Sequence, residues 1–287
     1  MKKIIGTITI AMLLIMPMLL AMPIQVIAQP TMELSDAVGG GTGGTFTLDP
    51  SILYTGGVKI SGDTWIYGRG AMIDLQKESI DVTDTYLYIE RCTITNGTGI
   101  DTGALEFLDG ASGFVYDNII VGNDDDGIYI DESSDIVIKE NSIIQNDDDG
   151  IEFDDSTKIT ILENTIANNG EYGIDGDNQD LMQWYDEGAG EWYYLPEVND
   201  LHDIRIKENK IAANDDDGIE LDYVNGVSIA SNLIYANDDE DDGIDLDYCP
   251  IVSITHNKIL ANEDDAIDYD GDEDWPDVDT DDDDTDD

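Results

Sequence analysis

Basic residues are scarce in this chain: twelve lysines and arginines and two histidines stand against 66 acidic residues in 287 positions, for a formal net charge of −54. A field of that sign repels phosphate, so nucleic acid and anionic membrane surfaces are excluded as direct partners unless cations intervene. Two cysteines, Cys92 and Cys249, and two isolated histidines, His202 and His256, supply too few soft ligands for a zinc or copper centre. No stretch carries a 3.6-residue apolar period, and glycine, asparagine and aspartate are abundant, which excludes a helical solenoid. The one long apolar run, Ile4 to Ala28 behind Lys2 and Lys3, reads as a signal peptide over 1–28, with Val26 and Ala28 at the cleavage-site positions. The run is also long enough for an uncleaved anchor, but Pro17 and Pro23 and the cleavage-like end favour removal. Both readings place the folded part outside the cytoplasm, secreted or at the cell surface.

What is present is a repeat. The sequence NDDDGI, or a close variant, brings a glycine at Gly127, Gly150, Gly173, Gly218 and Gly243, with Ala266 in the last copy. The intervals are 23, 23, 45, 25 and 23 residues, and 45 is one period plus a 22-residue insertion. One asparagine column runs through Asn118, Asn141, Asn164, Asn209, Asn232 and Asn257, and a second lies five residues later, at Asn123, Asn146, Asn169, Asn214, Asn237 and Asn262. Between the columns an isoleucine recurs, at Ile120, Ile143, Ile166, Ile211, Ile234 and Ile259, beside a residue that varies from isoleucine to lysine. The isoleucine therefore points inward and its neighbour outward. Ile128, Ile151, Ile174, Ile219, Ile244 and Ile267 follow the glycine position, and pairs such as Ile136/Ile138 and Ile159/Ile161 alternate with polar residues. Each unit thus carries three short strands separated by turns.

A period near 23 with three short, isoleucine-rich strands resembles the right-handed parallel β-helix of the pectate-lyase-like superfamily, over roughly Ile60 to Tyr269. The expected fold is all-β, a solenoid over 58–270 with an insertion at 176–200, an N-terminal segment or cap at 29–57 and a disordered acidic tail at 271–287. In such coils stacked asparagines hydrogen-bond to their copies about 4.8 Å above and below, satisfying buried amides. Trp65 to Leu75 reads as an early coil, and Cys92 takes the asparagine position in the next. Cys92 and Cys249 sit several coils apart, too far for the ~6 Å Cα separation of a disulfide.

Aspartate outnumbers glutamate, 49 to 17, and the acids are in register. Three precede each repeat glycine: Asp124, Asp125 and Asp126; Asp147, Asp148 and Asp149; Asp215, Asp216 and Asp217; then Asp241 and Asp242, and Asp264 and Asp265, each behind a glutamate. Two places after the glycine stand Glu152, Asp175, Glu220, Asp245 and Asp268, and four places after it Asp131, Asp154, Asp177, Asp222, Asp247 and Asp270. Period two sends these acids outward on one strand, so stacking lines them into columns on one flank. Carboxylates 4.8 Å apart repel by roughly 0.9 kcal/mol in water and about 3 to 4 kcal/mol at an effective dielectric of 20. Bound cations are the simplest remedy. Dense oxygen ligands without histidine or thiolate favour calcium, in several ions. The alternative is diffuse neutralisation in a salt-rich medium, which accounts for the charge but not for its register. No basic residue is expected on the acidic strand, since Lys139, Lys158, Arg205 and Lys207 belong to another.

The insertion carries Trp184, Tyr185, Trp192, Tyr193 and Tyr194 around glycines, the pattern of a hairpin. Aromatic faces beside carboxylates and calcium suit a sugar ring, and packing back onto the coil is the competing role. These features point to a secreted, calcium-binding β-helix that serves as a carbohydrate-binding or structural module, with a polysaccharide or cell-surface glycan as partner. The alternative is a calcium-dependent polysaccharide lyase or glycoside hydrolase. Lyases of the resembled superfamily need an arginine or lysine base beside the metal, and polygalacturonases a Gly-His-Gly motif that is absent here. A copper-binding β-helix relative shares the repeat but requires His, Met or Cys clusters that this chain lacks.

Overall fold

The computed structural model describes residues 29–98, 102–177, 181–186, 191–196, 202–237, 242–249, 251–262 and 265–269. Among these, every strand pairing is parallel except one hairpin, and the strands stack coil upon coil into a parallel β-solenoid. One complete unit shows how the sequence drives the path. Asp126–Asp131 forms a strand, Ser134–Lys139 a second and Ser142–Ile144 a third, and the chain then turns into Ile151–Asp154, directly above the first. We refer to the three stacks as the aspartate, long and short ladders.

The corners are single left-handed residues: Glu132, Glu140 and Gln145 have φ of 45°, 56° and 57°. Each costs a non-glycine residue about 1–2 kcal/mol; beside Glu140 and Gln145 the following asparagine offsets it with several bonds, and beside Glu132 the Ser133 N–H donates to Ser156 Oγ at 3.0 Å. Asn164 Oδ1 accepts from the backbone N–H of Asn141 at 2.9 Å and from its Nδ2 at 3.0 Å, and Asn164 Nδ2 donates to the Ile138 carbonyl at 2.9 Å. The same pattern repeats from Asn118 to Asn257. The second column forms a parallel chain of amides from Asn123 to Asn262. Cys92 heads the first column as its sequence position implied, its backbone N–H donating to Asn118 Oδ1 at 3.0 Å. Both cysteines are free and buried.

The core is a set of isoleucine stacks. Ile128, Ile151, Ile174, Ile219 and Ile244 lie in register on the aspartate ladder, Ile143, Ile166, Ile211 and Ile234 on the short one, and none is exposed. Each burial contributes about 1.5–3 kcal/mol. The repeat glycines follow from this packing. A Cβ on Gly150 would lie 2.5 Å from Ile166 Cγ2 and 2.8 Å from Asn169 Nδ2 of the next coil. Beyond Ala266 no further stacked coil is found among the described residues, and a methyl group is accommodated there.

The segment 29–57 pairs into the same stack: Thr31–Glu33 lies beside Leu53–Thr55, and Gly44–Thr47 beside Thr64 to Tyr67. The short helix Leu34–Ala37 and Val38 place Leu34 and Val38, both fully buried, in the core at that end. The insertion is the hairpin expected, Leu181–Asp186 antiparallel to Glu191–Pro196, with Trp184 opposite Tyr193 and Tyr185 opposite Trp192. The stretches 1–28 and 271–287 lie outside the described residues. Among the described residues no helix is long and apolar enough to cross a membrane.

Candidate metal centre

The three acids before each glycine are not equivalent. The first of each triplet, Asp124, Asp147 and Asp215, is exposed, whereas the third, Asp126, Asp149 and Asp217, is buried. The reason is a ladder that sequence reading missed. Asp149 N–H donates to Asp126 Oδ1 at 3.0 Å, Tyr172 N–H to Asp149 Oδ1 at 2.7 Å, Asp242 N–H to Asp217 Oδ1, and Asp265 N–H to Asp242 Oδ1 at 2.7 Å. The third acid therefore caps the turn of the coil above it with a charge-assisted bond. One carboxylate oxygen is spent on structure, and in Asp126 and Asp149 the carboxylate also faces neighbouring acids.

Those neighbouring acids define the centre. Carboxylate oxygens of Asp126, Asp149 and Glu152 lie within 4.8 Å of one another, as do those of Asp125, Asp126 and Asp148. Asp126 is 1% exposed, no N–H or hydroxyl group donates to its Oδ2, and its carboxyl lies against that of Glu152. An isolated buried anion is strongly disfavoured. Two further groups have the same spacing, Asp148, Asp149 and Glu171, and Asp242, Asp245 and Asp268. Glu171 was not singled out from the sequence, because its coil lacks the aspartate triplet.

The second-place and fourth-place acids stack as expected. Glu152, Asp175, Glu220 and Asp245 are in register, as are Asp131, Asp154, Asp177, Asp222 and Asp247. They are less solvated than an outward column implies: Asp154 is 2% exposed, and Asp175, Asp177, Glu220, Asp222, Asp245 and Asp247 are half-buried. Burial, then the neighbouring Glu152, pushes the Asp154 carboxyl up to about 8. Burial, then Glu220 and Glu152, brings Asp175 to about 8, and burial with Glu220 and Asp247 brings Asp222 to about 7. Asp126 and Asp149 are pushed up further, chiefly by burial. Without a cation these groups hold protons near neutrality.

Not every predicted ligand joins a cluster of three. Asp124 forms an ion pair with Lys77 instead, and Asp131, Asp147, Asp154, Asp175, Asp177, Asp215, Asp216, Asp217, Glu220, Asp222, Asp247 and Asp265 enter no such group among the described residues. Asp241, Asp264 and Asp270 lie outside the described residues. For Trp184, Tyr185, Trp192, Tyr193 and Tyr194 the strands are defined, but side-chain placement lies outside the description.

One expectation is overturned. The second-place column does carry a basic residue: it begins at Lys59 and continues through Asp81, Glu106 and Tyr129 to Glu152. These members stand 22, 25 and 23 residues apart down to Tyr129, so the period held the signal although the NDDDGI motif did not. Burial, then Asp81, pushes the Glu106 carboxyl up to about 7. Lys139, Lys158, Arg205 and Lys207 lie on the long ladder, as expected. Lys139 pairs with Glu140 and Glu163, Lys158 with Asp135 and Lys207 with Glu208.

A comparison with curated protein sequences finds no match. Among solved structures, a point mutant of the periplasmic alginate epimerase AlgG superposes with a TM-score of 0.59 at 16% identity, over 83% of this chain and 65% of that one. A double mutant of the same epimerase gives 0.53 at 16% identity, over 82% and 70%. An alginate lyase from Paenibacillus sp. str. FPU-7 gives 0.47 at 13% identity, over 83% and 98%. At these identities the likeness is one of fold. The profile described as "Right handed beta helix region" matches residues 52–180 and 197–277, most of the solenoid on both sides of the hairpin, and the chain belongs to that family.

Proposed function

We propose that this protein is a secreted, calcium-loaded β-helix that acts as a carbohydrate-binding module at the cell surface or in the extracellular matrix. The observation that carries the reading is the group Asp126, Asp149 and Glu152, whose carboxylate oxygens converge within 4.8 Å around a buried Asp126 Oδ2 to which no N–H or hydroxyl group donates. Calcium takes six to eight oxygens in flexible geometry, and three carboxylates with water meet that need where histidine and thiolate are absent. The ion neutralises the column and ties adjacent coils together, because its ligands come from two of them. The leader-like segment 1–28 supports export. The carbohydrate assignment draws on the aromatic hairpin sequence and on the fold shared with an alginate epimerase. The test is a melting curve with and without chelator, followed by binding to acidic polysaccharides. Chelation lowers Tm strongly, calcium restores it and magnesium restores it poorly. Equal rescue by sodium at matched ionic strength overturns the calcium site.

A second reading, a calcium-dependent polysaccharide lyase or hydrolase, is favoured by Lys59. It places a cation in the acid column next to Asp81, where the sequence alone indicated none. Incubation with acidic polysaccharides in calcium distinguishes the readings: unsaturated uronates or new reducing ends at a useful rate establish the enzyme.

A further inference from the structure

The outward face of the long ladder changes character along the solenoid. In the later coils its central outward column reads Val137, Thr160, Arg205, Ser228 and Ser253, a mixed and mostly small set. In the first coils the same column reads Trp65, Tyr88 and Phe114. Tyr67 and Tyr116 flank it on one side and Tyr86 on the other. The rings form a run of four and an adjacent pair: Tyr67 to Tyr88 is 5.5 Å between centroids, Tyr88 to Phe114 5.7 Å at 13° and Phe114 to Tyr116 5.8 Å, and Trp65, in register with Tyr88, lies 5.8 Å from Tyr86. All six are half-buried, so ring faces and edges remain open to solvent on the outside of the coil.

At the rim of this surface the local charge changes sign. Arg69 and Arg91, two of the chain's three arginines, occupy left-handed corner positions with φ of 57° and 54°. With Asp117 and Ile119 they line an open cleft of about 250 Å³. Arg69 lies two residues beyond Tyr67 and makes no ion pair among the described residues. Arg91 Nε meets Asp117 Oδ2 at 3.3 Å, and the arginine side chain remains 59% exposed. Ile119 and Met72, both exposed, add apolar surface beside the cleft.

We propose that this aromatic face and its arginine rim form a second binding surface, for a polysaccharide bearing uronate carboxylates. The rings present flat apolar area to pyranose C–H faces, and the guanidinium forks suit carboxylates on the same chain. In a molecule of net charge −54 a polyanion is repelled almost everywhere, and this face, with one carboxylate, Glu90, in register between Tyr67 and Tyr116 and two arginines at its rim, is where the repulsion is weakest. Glu90 is held by the Tyr88 hydroxyl, and Asp117 by Arg91. The inference rests on the carbohydrate reading above but places recognition on the long ladder rather than on the hairpin.

The test uses the full chain in calcium, with short oligogalacturonate and its methyl-esterified, neutral counterpart as probes. Replacing the exposed pair, Arg69→Gln with Arg91→Gln, is expected to weaken oligogalacturonate binding by about tenfold or more and to leave the neutral probe unaffected. Tyr88→Leu keeps the face covered and the fold intact, and is expected to weaken both probes. If the parent binds and both variants bind as the parent does, the second surface is refuted while the carbohydrate reading stands. If the parent binds neither these probes nor any acidic polysaccharide, the carbohydrate reading itself falls. A loss confined to Trp184→Ala with Trp192→Ala refutes the second surface and locates binding on the hairpin.

Discussion

Asp126 and Asp149 occupy equivalent positions one coil apart, and the backbone N–H of the second donates to Oδ1 of the first at 3.0 Å. The same side chain therefore closes a structural ladder through one oxygen and faces Glu152 and the candidate cation through the other. Under the proposed function, fold and metal binding are coupled in a single carboxylate.

That coupling separates two substitutions. Asp126→Asn keeps an oxygen acceptor for Asp149 N–H and, like the protonated parent carboxyl, is neutral, so unfolding in chelator is expected to need about the same denaturant as the parent. Its added stability in calcium should shrink. Asp126→Ala leaves the N–H unpaired and is expected to cost about 1–3 kcal/mol in either condition. Urea unfolding with chelator and with calcium measures both. Equal calcium stabilisation of Asp126→Asn and the parent counts against the site.

The pH dependence follows from Asp154, Asp175 and Asp222, pushed up to about 8, 8 and 7 in the folded chain from an aspartate's ordinary 3.8. Between these limits the native state binds more protons than the unfolded one, so ∂ΔG/∂pH is negative. Without calcium, stability is expected to fall as pH rises from about 4 to about 8. Calcium competes with those protons, so its stabilising effect should grow over the same window. Tm against pH, with chelator and with calcium, checks the sign. A flat chelated curve contradicts the buried acids.

Register is tested by a pair of neighbours. Ile151 is fully buried between coils, whereas the half-buried Tyr129 donates its hydroxyl to Asp154 Oδ2 at 3.2 Å. Ile151→Asp buries an unpaired charge and is expected to abolish folding. Tyr129→Asp completes a column already acidic in other coils and is expected to fold in calcium. Circular dichroism of both variants decides, and identical behaviour would mean that the two residues do not face opposite ways.

The hairpin offers a further test. Trp184→Ala with Trp192→Ala is expected to leave Tm and calcium uptake nearly unchanged, because its two strands pair only with each other among the described residues. A loss of several degrees in differential scanning calorimetry would mean that these rings pack against the solenoid.

The sequence by itself determined the period, the three strands per coil, the inward isoleucines and both asparagine columns. Each is a local pattern repeated about every 23 residues, and stacking identical units leaves only one register in which Ile151 meets Ile174 and Asn141 meets Asn164. Tertiary structure decided what depends on neighbours from different coils. Asp124, Asp125 and Asp126 are identical letters, yet the first pairs with Lys77, the second accepts from Thr102 N–H, and the third is buried under the next coil. Lys59 entered the acid column, and Trp65, Tyr88 and Phe114 became one surface, only when irregular early coils were brought into register with the rest. A spacing rule fixes which residues stack. Burial, electrostatics and a shared carboxylate oxygen arise only once three dimensions place one coil upon another.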